Sequence, residues 1–386
     1  MTQNSSTPIA KVLPVLFGFF VMGFVDVVGT LTAYAKQEFN LSETLANFIP
    51  SMIFIWFLLL SVPTAALMNR LGRKKTVQLS NVITIIGMII PFITFDFHTC
   101  MLACILLGIG NTILQVSLNP LLTNVVKGDM LTSSLTAGQV VKAVSAVCAP
   151  FIALFATKTL GNWQYIFPIY ALITIISAGW LMATPIKEET PSTTTSSLGN
   201  TFRLLSDRMV LLCFIGILFV VGVDVGMNTV TPKLLIERVG MDTTNATLGI
   251  SVYSLCRTIG ALIGAAMLLK MADMKYYKIH IYIALVAIIA LFFAQGEIAI
   301  LALVGIIGYT CSSIFSVIFS QALKARPEKA NEISGLMVTG ICGGAIIPPV
   351  MGALTDNMGS QIGSVLVIAI CILYLVFFSL IAKTSK

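Results

Sequence analysis

Charge is what this sequence has least of. Only 10% of its 386 residues are Asp, Glu, Lys or Arg, against 57% apolar residues and a mean hydropathy of +0.97. A soluble domain carries about 25% charged residues. So little charge cannot cover a chain of this size with a polar surface, so a soluble fold is excluded and lipid must solvate most of it. Histidine is scarce too. His98 and His280 stand at the ends of apolar runs, with no Cys or acid pair at ligand spacing, so neither a catalytic set nor a metal site is expected. There is no CxxC, and the eight cysteines lie within or beside apolar runs, where they read as small apolar side chains. There is no phosphate-cradling GxxxxGK[ST], so ATP is not expected as a driving force, and no cofactor is expected. The polar start "MTQNSSTPIAK" is not followed by a small-residue cleavage site, so the first apolar run is expected to be a span and not a leader. A net charge of +7 would suit nucleic acid, but the cations sit in short clusters between apolar runs, as topology signals do.

What the sequence does have is long apolar runs. A helix needs about 20 such residues to cross a bilayer. Twelve runs qualify, roughly 12–35, 44–68, 76–95, 99–126, 133–156, 163–184, 209–235, 246–269, 279–295, 297–324, 331–354 and 362–382. They are continuous and do not alternate, which excludes a β-barrel. Cations gather in the even-numbered connections: Arg70, Arg73, Lys74 and Lys75, then Lys270, Lys275 and Lys278, then Lys324, Arg326 and Lys329. The other side holds only Lys36, Lys158, Lys233 and Arg238. This asymmetry places both termini in the cytoplasm.

One long polar stretch, "KEETPSTTTSSLGNTFRLLSD", reads as a linker over 187–207. It divides the chain into 1–186 and 208–386, with six runs each. "GIGNTILQVSLNPLLTNVVK" at Gly108 is echoed 197 positions later by "GIIGYTCSSIFSVIFSQALK" at Gly305, and Asp26 is echoed by Asp224. The fold class expected is all-α: twelve transmembrane helices in two pseudo-symmetric six-helix bundles. A parallel repeat with polar groups near mid-membrane is the plan of an alternating-access transporter.

Those polar groups are few. At 1.5 Å per residue, Asp26, Gln115, Lys142 and Asp224 fall within about 5 Å of the midplane, with Arg257 at the middle of its run and Asn119 roughly 10 Å away. Each lone charge in lipid costs about 2.5–3.5 kcal/mol, so they should face one another and a water-filled cavity. Gly18, Met22, Asp26, Thr30 and Tyr34 share one helical face at i, i+4 spacing. Lys142 and Arg257 either neutralise Asp26 and Asp224 or bind an anionic substrate. Arg257 cannot snorkel from mid-span, and Asp224 in the preceding helix is its most economical partner. Gln115, Asn119, Gln139 and Asn228 offer donors and acceptors, as sugar hydroxyls require, or simply tie helices together. Asn119 precedes Pro120 and is also placed to satisfy carbonyls freed by a proline kink.

"MNRLGRKKT" resembles the loop motif of the major facilitator superfamily, which closes the cytoplasmic side. Arg70, Gly72, Arg73 and Lys74 match it, while Ala65 stands for its Gly and Asn69 for its Asp. Within the superfamily, "GFVDVVGTL", "LQVSLNPLL", "FVVGVDVG", "SIFSVIFSQAL" and "GGAIIPPVMGALTD" resemble the fucose–proton symporter branch. The resemblance implies import of a hexose or deoxyhexose with a proton, by a bacterial inner-membrane carrier acting as a monomer. Asp26 would carry the coupling, with Asp224 as its counterpart. Gln115 stands where the fucose permease has Glu, as in glucose- and galactose-type relatives. Lys142 replaces the Asn of a Gln-Ala-Phe-Asn stretch that begins at Gln139. The alternatives are a carrier of an anionic sugar or other organic anion, gripped by Lys142 and Arg257, and a multidrug efflux carrier. A nutrient sensor on a transporter fold stands further off, and a channel furthest.

Overall fold

The computed structural model describes residues 9–27, 35, 38–40, 43–126, 130–187, 198–241, 246 and 248–382. Its principal helices are α1 (Ile9–Met22), α2 (Glu43–Leu71), α3 (Arg73–Ile93), α4 (Phe97–Val125), α5 (Met130–Thr159), α6 (Ile166–Ala183) and α7 (Arg208–Val239). They continue with α8 (Leu248–Met267), α9 (Asp273–Phe293), α10 (Glu297–Cys311), α11 (Ile314–Ala325), α12 (Ala330–Thr339), α13 (Gly343–Met358) and α14 (Ile362–Ile381). No strand occurs among the described residues. Ten described helical segments are long and apolar enough to span a membrane, and two shorter apolar helices, Ala10–Val25 and Ile55–Leu71, fall in the other two expected runs. The long linker lies mostly outside the described residues, and its end forms a short helix, Leu198–Arg203.

Three runs expected to be single helices are interrupted. α1 tightens into a 3-10 turn, Gly23–Val27. The tenth run breaks between α10 and α11 at Ser312 and Ser313, and the eleventh at a 3-10 turn, Gly340–Cys342. The break in α1 coincides with a close approach. A Cβ on Gly23 would lie 2.5 Å from Ser145 Cβ and 2.6 Å from the Lys142 carbonyl, so the backbone of α5 occupies the space of a side chain. The change of helix type frees carbonyls, and the Asn111 amide donates to the Met22 carbonyl at 2.7 Å. The expected i, i+4 stripe therefore ends at Met22. Asp26 lies in the tighter turn, and Thr30 and Tyr34 lie outside the described residues.

The chain forms two compact units, neither contiguous in sequence. The first comprises Met1–Gly128, Gly138–Phe202 and Glu328–Thr339; the second comprises Asp129–Ala137, Arg203–Pro327 and Gly340–Lys386. In the first, α12 seats Gly335 with its absent Cβ position 2.8 Å from the Ser61 carbonyl of α2. In the second, the start of α5 is held by Thr132, whose hydroxyl donates to Asp273 Oδ2 at 2.7 Å, and by Ser133, which donates to the Ala265 carbonyl at 2.6 Å. Lys324 Nζ reaches the same Asp273 oxygen at 2.8 Å.

Helix ends in lipid need partners for their last carbonyls. Arg238, read as a topology signal, donates to the Leu291 and Ala294 carbonyls at 2.7 and 2.9 Å and so closes α9. Its neighbour Glu237 accepts from Ser360 Oγ at 2.7 Å and Gln361 N at 2.8 Å, where α14 begins. Asp207 starts α7 by accepting from Met209 N at 2.9 Å. Arg326 donates to Asp207 Oδ2 through Nε at 2.9 Å and Nη2 at 2.8 Å.

Two predictions follow from this geometry. Gly23→Ala should lower the melting temperature in detergent, at a cost of about 1–3 kcal/mol, because the added methyl meets backbone. Gly179→Ala is the control, since nothing lies within 4 Å of its Cβ position; equal effects at both sites would contradict the close approach. The Arg326 bridge, helped by the α7 N–H groups, holds the Asp207 carboxyl below the usual carboxylate range. Its stabilising contribution is therefore present above the unfolded value of about 3.9 and is lost as pH falls through the lowered folded one. Asp207→Asn should flatten the acid limb of the stability curve there, and an unchanged limb would contradict the bridge.

Candidate functional site

In the first unit the site residues are laid out by α4. Asn111, Gln115 and Asn119 recur every fourth residue and so share one face. All three are buried. Gln115 Nε2 donates to Asn111 Oδ1 at 2.9 Å, and Asn119 Nδ2 donates to the Gln115 carbonyl at 2.9 Å. The ladder is anchored at one end, where Asn111 holds the Met22 carbonyl. At the other end Asn119 Oδ1 is buried without a hydrogen-bond partner among the described residues. Asn119 does not satisfy the carbonyl that Pro120 frees. That carbonyl belongs to Val116, and it accepts from Ser334 Oγ of α12 at 2.6 Å. Asn111 was missed in the sequence, although its spacing from Gln115 was a legible signal.

α5 brings Gln139 and Lys142, both half-buried, and no hydrogen bond or ion pair joins either to another described residue. Gly23 lies against the Lys142 carbonyl, so the turn holding Asp26 crosses α5 at Lys142. The side chain of Asp26 lies outside the described residues.

In the second unit Asp224 and Asn228 sit one turn apart on α7, and Asn228 Nδ2 donates to the Asp224 carbonyl at 2.9 Å. Arg257 of α8 pairs with Asp224, Nε to Oδ1 at 2.9 Å, the partner expected from their adjoining helices. Tyr253, one turn before Arg257, donates its hydroxyl to the same oxygen at 3.0 Å. Tyr253 was not anticipated, because a tyrosine in an apolar run gives no signal until its hydroxyl is placed.

The loop motif is a cluster within the first unit. Gly72 has φ 88° and ψ 159°, a left-handed conformation that glycine adopts without strain. Arg73 donates to Asn331 at 2.8 Å, Asn124 at 2.6 Å and Thr123 at 3.1 Å, which ties α3 to α4 and α12. Lys74 donates to the Met182 and Thr184 carbonyls at 3.1 and 2.8 Å and closes α6. Arg70 is exposed. Asn69 donates to Glu332 at 2.8 Å and accepts from Asn331 at 2.6 Å. A carboxylate at 69 would face Glu332, so the departure from the motif is matched by an acid already present across the contact.

The family model described as Major Facilitator Superfamily matches residues 15–349. A glucose/galactose transporter of Brucella abortus is 27% identical, over 95% of this chain and 92% of its own. A putative glucose/galactose transporter of Helicobacter pylori is 25% identical, over 98% of each chain. Among solved structures, the Escherichia coli fucose:proton symporter FucP superposes with a TM-score of 0.86 at 17% identity, over 98% of this chain and 100% of that one. The likeness to FucP shows the fold.

Asn69→Asp is expected to set two carboxylates against each other and cost about 1–3 kcal/mol. Adding Glu332→Gln should restore most of the loss. Melting temperatures of both variants check this, and an equal loss in the single and the double would contradict the matched contact.

Proposed function

The chain belongs to the Major Facilitator Superfamily, and from that premise we propose that it imports a neutral sugar with a proton across a bacterial inner membrane by alternating access. Similarity to glucose/galactose transporters along nearly the whole chain supports a hexose as the substrate, and the fold of a fucose:proton symporter supports proton coupling. The proposed bundles are 1–186 and 208–386, joined by 187–207, with both termini cytoplasmic and the carrier acting as a monomer.

The Asp224–Arg257 pair carries the choice of a neutral substrate. An arginine engaged by a protein carboxylate is not a standing receptor for a substrate anion, and opening the pair would strand a charge near mid-membrane. Gln115, Asn119, Gln139 and Asn228 fit hydroxyl groups, because carboxamides both donate and accept. Asp26 is proposed as the proton carrier, with Lys142 as its counter-charge. Burial raises an aspartate's affinity for a proton and a nearby ammonium lowers it. A carrier that loads and releases a proton alternates between those conditions. The Asn69, Arg70, Gly72, Arg73 and Lys74 cluster is proposed to latch the cytoplasmic side.

Uptake by proteoliposomes tests this reading, with D-glucose, D-galactose, L-fucose and D-glucuronate as probes, with and without an inward proton gradient. At least one neutral sugar should accumulate only with the gradient, and glucuronate should not accumulate. Asp26→Asn should abolish accumulation yet spare exchange, since Asn keeps the hydrogen bonds but cannot cycle a proton. Full accumulation by Asp26→Asn would remove Asp26 from the coupling role, and preference for glucuronate would replace the neutral substrate by an anion.

A further inference from the structure

We infer that Asn111 is the link between proton and sugar, a positioning residue whose one amide holds both the turn that carries Asp26 and the side chain of Gln115. The inference rests on the sugar–proton reading above. Asn111 is buried, and both ends of its amide are engaged: Nδ2 donates to the Met22 carbonyl at 2.7 Å, and Oδ1 accepts from Gln115 Nε2 at 2.9 Å. The amide is planar and rigid, so it cannot turn away from one partner without leaving the other. A Cβ on Gly18 would lie 3.0 Å from Leu118, and Met22 meets Asn111, so α1 and α4 run antiparallel where they cross. Asp26 therefore lies one turn beyond this contact in one direction, and Gln115 one turn beyond it in the other. At 1.5 Å per residue their backbones are about 12 Å apart along the axes. Asn111 stands between them.

The Met22 carbonyl is the point of exchange. In a regular α-helix each N–H bonds the carbonyl four residues back, so this carbonyl would belong to the N–H of Asp26 itself. Here the helix tightens to a 3-10 turn over Gly23–Val27, and Asn111 takes the carbonyl. Tight winding inside a longer helix marks a hinge with two arrangements. Regular winding returns the carbonyl to Asp26 and frees the Asn111 amide, and with it Gln115 Nε2, to meet a sugar hydroxyl. The Gln115 backbone carbonyl stays held by Asn119 at 2.9 Å, so the side chain moves and the helix does not. The ionisable groups on the helices packed here are Lys142 and Cys148 of α5, Tyr170 of α6, whose ring lies 4.2 Å from that of Phe24, and Cys104 of α4, two turns from Asn111 on the same face. No hydrogen bond joins any of them to Asn111. A change of charge at Asp26 thus reaches Gln115 through the winding of the turn and this one amide.

The test uses full-length protein in proteoliposomes, with radiolabelled D-glucose and D-galactose as probes, and reads external pH and sugar entry together. Asn111→Leu keeps the branched shape of the side chain and removes both bonds. It should still exchange sugar, while the protons carried per sugar fall and accumulation under an imposed gradient drops at least about fivefold, the low end of coupling between two sites. Where Asn111→Leu does not fold, Asn111→Thr serves, because its hydroxyl bonds the carbonyl one turn back in α4 and leaves both partners. A merely structural role would lower the amount of folded carrier and not the protons carried per sugar. A variant that exchanges sugar with the unmodified ratio of protons to sugar overturns the inference. So does a folded variant that no longer exchanges, since Asn111 would then be part of the sugar site itself. Failure of the unmodified protein to accumulate either sugar overturns the transport reading, and this inference with it.

Discussion

In contact with lipid no water compensates a charge or an open backbone group, so such a group finds its partner inside the protein or faces a water-filled cavity. The Asp224–Arg257 pair is the clearest case. Neither charge is tolerable alone at that depth, so the sequence that places Arg257 at the centre of a span also commits a carboxylate to meet it. The same constraint governs the backbone. The carbonyl freed by Pro120 is taken by Ser334, and the Met22 carbonyl at the break in α1 by Asn111. Few polar residues are present, and most of those placed are spoken for.

That scarcity explains what was legible in the sequence. Hydropathy located ten helices long and apolar enough to span and two shorter apolar ones among the described residues, because lipid selects for apolar length and little else. The ninth was begun late, at 279 and not at Asp273, because Lys275 and Lys278 mask a turn whose Met274, Tyr276 and Tyr277 are buried. The breaks at Gly23, at Ser312 and Ser313 and at Gly340 were not legible, since a hydropathy average does not see how the backbone is bonded. Arg257 could be paired with Asp224 because two rare charges on successive helices have few other choices. Tyr253 and Glu332 could not be found that way. Each acts through a contact between residues distant in sequence, and each is of a type with ordinary structural uses.

The units also show why a division read from composition is an incomplete description of packing. α12 comes late in the chain but packs with α2 and α4, and the first turns of α5 pack with α9 and α11. Charged residues at the starts of α3 and α9 hold these exchanged segments: Arg73 binds Asn331 and Asp273 binds Thr132. The internal repeat is thus visible in contacts as well as in letters. These segments are held by hydrogen bonds at helix ends and by buried apolar side chains, Ile333, Leu336 and Met337 in α12 and Leu131 and Leu135 in α5.

The central claim is that sugar and proton move together through this chain. The most direct measurement is the pH outside sealed, weakly buffered proteoliposomes when D-glucose or D-galactose is added with no gradient imposed. Coupled import predicts immediate alkalinisation of the medium, about one proton per sugar entering, abolished by a protonophore. Entry of labelled sugar with no change in external pH would contradict it.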